Sequence, residues 1–154
     1  MNKSEKAGDL AAREITVTRE FGAPRELVFA AWTDPVHVSK WWGPKGFTTT
    51  TTRMEMRPGG VWELVMHGPD GTDYPSKIVF VEIVKPERVV YDHVLAPLFR
   101  STSIFEDLGP RSRLTVTLRF ESAKVCEQAV RQHGALKGLQ EMVVRLAEHM
   151  GKGI

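Results

Sequence analysis

At 154 residues, with 42% hydrophobic and 26% charged side chains and a formal net charge of +2, the chain has the size and composition of one globular domain with a proper core. Its basic residues are scattered, which argues against nucleic acid as a partner; no apolar run approaches the roughly 18 residues of a membrane span, and the N-terminus lacks a signal-peptide apolar segment, which argues against membrane insertion. The single cysteine, Cys126, excludes an intramolecular disulfide and fits a reducing cytoplasm.

Residues 1–13 are small and polar and are expected to form a flexible tail ahead of one folded unit over 14–150. From Glu14 to Phe21, Ile15 and Val17 alternate with polar neighbours, which predicts a half-buried strand. Pro24 suits the first turn of a helix, and Leu27, Val28, Ala31 and Trp32 recur at helical spacing, with Phe29 flanking that face. Asp34 can cap a second short helix that starts at Pro35 and carries Val38, Trp41 and Trp42. Both helices fall between the first two strands.

The threonine-rich run from Thr48 to Met56 predicts the next strand. In Val61 to His67, Glu63 must face water, so Trp62, Leu64 and Met66 are expected to face the core. Gly68-Pro69-Asp70-Gly71 has the composition of a hairpin turn. Strands are then expected over 73–84, 89–94, 102–108 and 113–121, and Ala96-Pro97-Leu98-Phe99 interrupts the series. In the last strand Leu114, Val116, Leu118 and Phe120 share one face. Ser122 is a suitable N-cap for a short helix over 123–132, with a break near Gly134 and a main helix over 135–150. Leu136, Leu139, Val143, Leu146 and Met150 recur on that helix at spacings of three and four, the rhythm of one buried face. About seven hairpin-linked strands and a long terminal helix give an α+β fold, an antiparallel sheet with one wet face and the helix across the other.

A curved sheet under one helix either fills its interior or leaves a pocket there. Met54, Met56, Trp62, Leu64, Met66 and Met142 supply bulky, adaptable inward groups, opposed on the helix by Leu139, Val143 and Leu146, and Trp41 is expected among the cavity residues. Tyr91 and His93 share a strand face whose direction the sequence leaves open. If they point inward, they place a phenol and an imidazole in an apolar cavity, able to orient a ligand or move a proton; a histidine satisfied within the core or rim is the competing reading. One of Trp41 and Trp42 should anchor its helix while the other borders the mouth. Catalytic signatures are otherwise missing: there is no phosphate loop, nucleophile elbow or zinc-protease histidine pair. His37, His67, His93, His133 and His149 are too dispersed to define a metal site, and no cofactor is expected.

Several stretches together resemble a known family. They are Trp41-Trp42-Gly43-Pro44 with Gly46-Phe47, Pro58-Gly59-Gly60-Val61-Trp62, Met66 ahead of Gly68-Pro69-Asp70-Gly71, Pro86-Glu87-Arg88-Val89 after Glu82-Ile83, and Arg145-Leu146-Ala147-Glu148-His149-Met150. In that order, over roughly 14–150, the sequence is similar to the Hsp90-ATPase-activator-homologue-1-like proteins of the START-like (Bet v 1-like) superfamily. The resemblance implies a helix-grip fold, a seven-stranded antiparallel sheet wrapped around the C-terminal helix with a cavity between them. Where relatives often carry Glu-Gly-Trp, this chain has Lys137-Gly138-Leu139, and loss of an indole there should enlarge or reshape the cavity.

The expected function is binding of a hydrophobic small molecule between sheet and helix. Two rivals accompany it: a cyclase- or aromatase-like enzyme using the same cavity, with Tyr91 and His93 as its catalytic candidates, and a stress-response or Hsp90-activator-like interaction module. Leu98 and Phe99, beside Pro97, form an apolar loop that suggests either a homodimer contact or a lid.

Overall fold

The computed structural model describes residues 12–151. The N-terminal tail expected over 1–13 lies outside this span except for its last two residues. Arg13 is already tied to the sheet: its carbonyl accepts from the Phe120 N–H at 2.9 Å, and its Nη1 donates to the Glu121 carbonyl at 3.4 Å.

The elements run β1 (Glu14–Phe21), α1 (Arg25–Thr33), α2 (Pro35–Trp41), β2 (Thr48–Met54), β3 (Val61–His67), β4 (Asp73–Val84), β5 (Arg88–His93), β6 (Phe99–Leu108), β7 (Arg111–Phe120), α3 (Ala123–His133) and α4 (Ala135–Met150). The seven strands form one sheet in the order β1-β7-β6-β5-β4-β3-β2, with every neighbouring pair antiparallel. The hairpins from β2 to β7 therefore pair sequence neighbours, while β1 returns to lie against β7, Ile15 opposite Leu118 and Val17 opposite Val116. Helix α4 crosses the inner face and packs on β1, α1, α2 and α3. This is the helix-grip arrangement that the family resemblance implied.

Local chemistry sets the helix ends. Asp34 Oδ1 accepts from the Val36 N–H at 2.8 Å with Pro35 in the first turn, and Ser122 Oγ accepts from the Val125 N–H at 3.1 Å; each satisfies a donor that the helix leaves free. Between α3 and α4, Gly134 takes φ 61°, ψ 35°, a left-handed conformation that a Cβ disfavours. The core gathers the inner residues of the strands and the facing helix sides, with Trp41, Trp62, Ile78, Phe105, Leu114 and Leu146 almost entirely removed from water. Each such aliphatic or aromatic side chain contributes about 1.5–3 kcal/mol by burial.

Several boundaries and one face differ from expectation. Leu27 is exposed and Phe29 is buried. The two flank the same helical face, and Phe29 is drawn in by an edge-on contact with Phe105, ring centroids 5.3 Å apart. Strand β2 stops at Met54 because Glu55 starts a turn: its carbonyl accepts from the Arg57 N–H and its Oε1 from the Val61 N–H. Strand β6 begins at Phe99, three residues early, where Phe99 pairs with His93 on one side and Phe120 on the other. Leu98 remains exposed, but Phe99 turns inward, so the two do not form one exposed apolar loop. Among the described residues no helix is long and apolar enough to cross a membrane.

Candidate functional site: a cavity beneath the first turns of the long helix

Period-two alternation in the strands sends Ser76 and Ile78 of β4, Tyr91 and His93 of β5, and Val116, Leu118 and Phe120 of β7 to the same side of the sheet. Above them the helices present little bulk: Ala129 of α3, Gly134 between the helices, then Ala135 and Gly138 of α4. The mismatch leaves a cavity of about 250 Å³, closed at one end by Trp42, Gly43 and Pro44 from the turn after α2. Beyond Gly138, α4 carries bulkier inward residues, and Val143 and Leu146 pack in the closed core.

That change in bulk sorts the residues expected at the cavity. Met66, Tyr91, His93, Leu139 and Met142 border it. Val143 and Leu146 lie further along α4 in closed core. Trp62 and Leu64 are buried under their neighbours, with Trp62 behind the Trp42 ring at 4.7 Å and its Nε1 donating to Thr51 Oγ1 at 3.1 Å. Met54 ends the edge strand β2 and Met56 lies beyond it; both pack against the core without bordering the cavity. Trp41 is the anchor of the tryptophan pair: it is wholly buried, and its Nε1 donates to the Ala31 carbonyl at 3.0 Å. Helix α2 ends there, Trp42 adopts an extended backbone, and its indole swings to the cavity instead.

The two polar candidates differ in character. His93 uses both ring nitrogens: Nδ1 lies 2.9 Å from the Pro97 carbonyl and Nε2 lies 2.7 Å from Ser76 Oγ. Its ring stacks on Phe99 at 4.8 Å with an interplanar angle of 4°. Tyr91 is buried, and that burial pushes its phenol up to about 12, a rise tempered by Ser101 directly opposite on β6. The approach is loose, because Ser101 Oγ, like Ser103 Oγ, has no hydrogen bond of normal geometry among the described residues. Tyr91 thus stays a neutral phenol through the physiological range.

Sequence reasoning missed Ser76, Gly138 and Phe99 as cavity residues. The buried alternation Ser76, Ile78, Phe80 along β4 carried a signal for the first; the Pro97 break concealed the third. It also missed the fixing of the cavity rim by Arg145 of α4, whose Nη1 donates to the carbonyls of Trp42, Gly43 and Pro44 at 3.2, 2.9 and 2.9 Å. Gly43 needs φ 99° in that turn.

Elsewhere, His37 Nδ1 and His149 Nε2 meet at 3.0 Å between α2 and α4, away from the cavity lining. His67 bonds Thr50 and Asp73 on the open side of the sheet. Among the described residues no three His, Cys, Asp or Glu side chains gather to hold a metal ion. Cys126 is buried and its thiol is pushed up by that burial, the environment of an inert thiol. The arrangement is an apolar hollow with a few convergent polar groups, the usual form of a small-molecule site.

Solved structures share this architecture. A protein from Arthrobacter aurescens is 27% identical with a TM-score of 0.86, the match covering 94% of this chain and 89% of that one. A Nitrosomonas europaea protein is 21% identical at a TM-score of 0.85, over 92% and 96% of the two chains. An Hsp90-activator-homologue protein from Silicibacter pomeroyi is 20% identical at 0.75, over 92% and 99%. No curated protein matches the sequence. The sequence model of the family described as activator of Hsp90 ATPase homolog 1-like protein matches residues 22–151, and with the helix-grip fold and its cavity in place, the chain belongs to that family.

Proposed function

We propose that the chain binds a hydrophobic small molecule in the cavity between the sheet and the first turns of α4. The observation that carries this reading is the combination of small helix residues, Ala129, Ala135 and Gly138, with apolar sheet residues opposite, which leaves about 250 Å³ unfilled. Close-packed interiors leave few voids larger than a water molecule, which sets this space apart from the rest of the core. Met66, Leu139 and Met142 supply adaptable apolar contact, while Ser76, Tyr91 and His93 are polar side chains at the cavity wall. Apolar surface transferred into the cavity contributes about 25 cal/mol per Å².

Native mass spectrometry of the protein purified from its own cells, followed by extraction of whatever is bound, tests the proposal. A stoichiometric apolar adduct supports it. Failure to find an adduct, together with failure of an apolar fluorescent dye to saturate at one per chain, refutes it.

A second reading, a cyclase- or aromatase-like enzyme, is favoured by one observation: Tyr91 and His93 border the same hollow, where positioning in a dry site accelerates reaction. Turnover of the extracted molecule by the wild type and not by His93→Ala would distinguish it from simple binding.

A further inference from the structure

The hydrogen bonds of His93 specify which polar group the cavity accepts. Pro97 offers a carbonyl, which only accepts, so Nδ1 of the neutral imidazole carries the proton; the tautomer is assigned from that partner. Nε2 is then an acceptor, and the hydroxyl 2.7 Å away must give it a hydrogen. Ser76 has one hydrogen and has used it. What Ser76 Oγ presents to the cavity it lines is lone pairs alone. Stacking on Phe99 holds the imidazole in this orientation, so the polarity of the serine is fixed by its neighbours. Tyr91, opposite Ser101 on β6, and His133 of α3 also border the cavity, so the preference belongs to the Ser76 position.

We infer that the cavity selects an apolar ring compound bearing a hydroxyl donor, of the phenol or naphthol class, by accepting its hydrogen at Ser76 Oγ, and disfavours the matching ketone. The inference rests on the binding reading above and specifies its ligand. A ketone oxygen brought to the same place meets lone pairs, and burying both without a hydrogen between them is unfavourable. The space is adequate for a fused bicyclic ring, since a cavity of about 150 Å³ already admits benzene and this one measures about 250 Å³.

The test is calorimetric titration of the purified protein with three fused bicyclic probes that carry a single substituent atom at the same position: 1-naphthol, 1-methylnaphthalene and the ketone 1-tetralone. Methylnaphthalene reports on the cavity alone, because its methyl group replaces the hydroxyl and is more hydrophobic. The expected result is binding of methylnaphthalene, about five- to tenfold tighter binding of naphthol, and no gain for the ketone. In His93→Phe, which keeps a ring to stack on Phe99, Ser76 recovers its hydrogen and the naphthol–ketone gap should collapse while methylnaphthalene still binds. A merely structural histidine would weaken all three probes together. If that variant loses methylnaphthalene binding, Ser76→Val serves instead and should abolish the naphthol advantage selectively. Equal binding of naphthol and methylnaphthalene by the wild type, or tighter binding of the ketone, overturns the inference and leaves the cavity reading standing. Binding of none of the three overturns both.

Discussion

Arg145 donates from Nη1 to the carbonyl of Gly43 at 2.9 Å, across 102 residues of chain. The same nitrogen reaches the carbonyls of Trp42 and Pro44, so one guanidinium on α4 holds the turn that closes the cavity. Burial pulls that guanidinium below its ordinary range, but it remains charged. Arg145→Met should destabilise the fold by about 1–3 kcal/mol, the cost of leaving partly buried carbonyls unpaired. Hydrogen exchange gives the sharper readout: the Phe47 amide, bonded to the Pro44 carbonyl, should lose protection in the variant. Unchanged exchange there would show that the turn holds itself.

Gly138 offers a change that separates stability from binding. A Cβ added there meets only Pro44 Cγ at 3.5 Å, an ordinary contact, and the residue is helical. Gly138→Ala should therefore raise stability by up to about 1 kcal/mol in chemical denaturation. Gly138→Phe places a ring in the cavity and should weaken binding of an apolar dye at least about tenfold while the protein stays folded. Dye affinity that survives the phenylalanine would place the ligand elsewhere.

The adjacent tryptophans should respond differently to truncation. Trp41→Ala empties a closed core site and removes the bond to the Ala31 carbonyl, for an expected loss of about 3–5 kcal/mol. Trp42→Ala instead enlarges a space that already exists, so the variant should accept bulkier apolar probes than the wild type. Titration with probes of graded size distinguishes the two. A preference for larger probes in Trp41→Ala but not in Trp42→Ala would contradict the assignment of the lining.

Tyr91 predicts an alkaline limit. Its phenol rises from 10.0 to about 12 on folding, so the native state holds its proton after the unfolded state has released it. The resulting stability is fully present below about pH 10 and is lost as pH rises toward about 12, a total on the order of 3 kcal/mol. Urea unfolding of wild type and Tyr91→Phe across that window should show the loss in the first and a flatter profile in the second. Parallel profiles would mean that the phenol is solvated.

The sheet was legible in the sequence because its signals are local. Alternation in Val61–His67 and Arg113–Phe120, the capping residues Asp34 and Ser122, and the break at Gly134 each report on a few neighbouring residues. The cavity was only half legible, since it is a difference between two surfaces that the chain brings together late. Inward direction was readable for Trp62 and Leu64, but whether space remained in front of them depended on Gly138, Ala135 and the rotation of Trp42 out of α2. Hydrogen bonds such as Ser76 to His93 span 17 residues and a strand pair, and no short-range pattern announces them.

The strand order has a bearing on synthesis as well as architecture. Strands β2 to β7 can each zip onto the strand made just before, but β1 has a single neighbour, β7, more than 90 positions downstream. On the ribosome, Ile15 and Phe21 must wait for nearly the whole chain before their sheet partner exists. The last hairpin and the first strand are thus completed in one late event, and loops of that length close slowly. A nascent chain stalled before Arg111 would expose one edge of an otherwise paired meander.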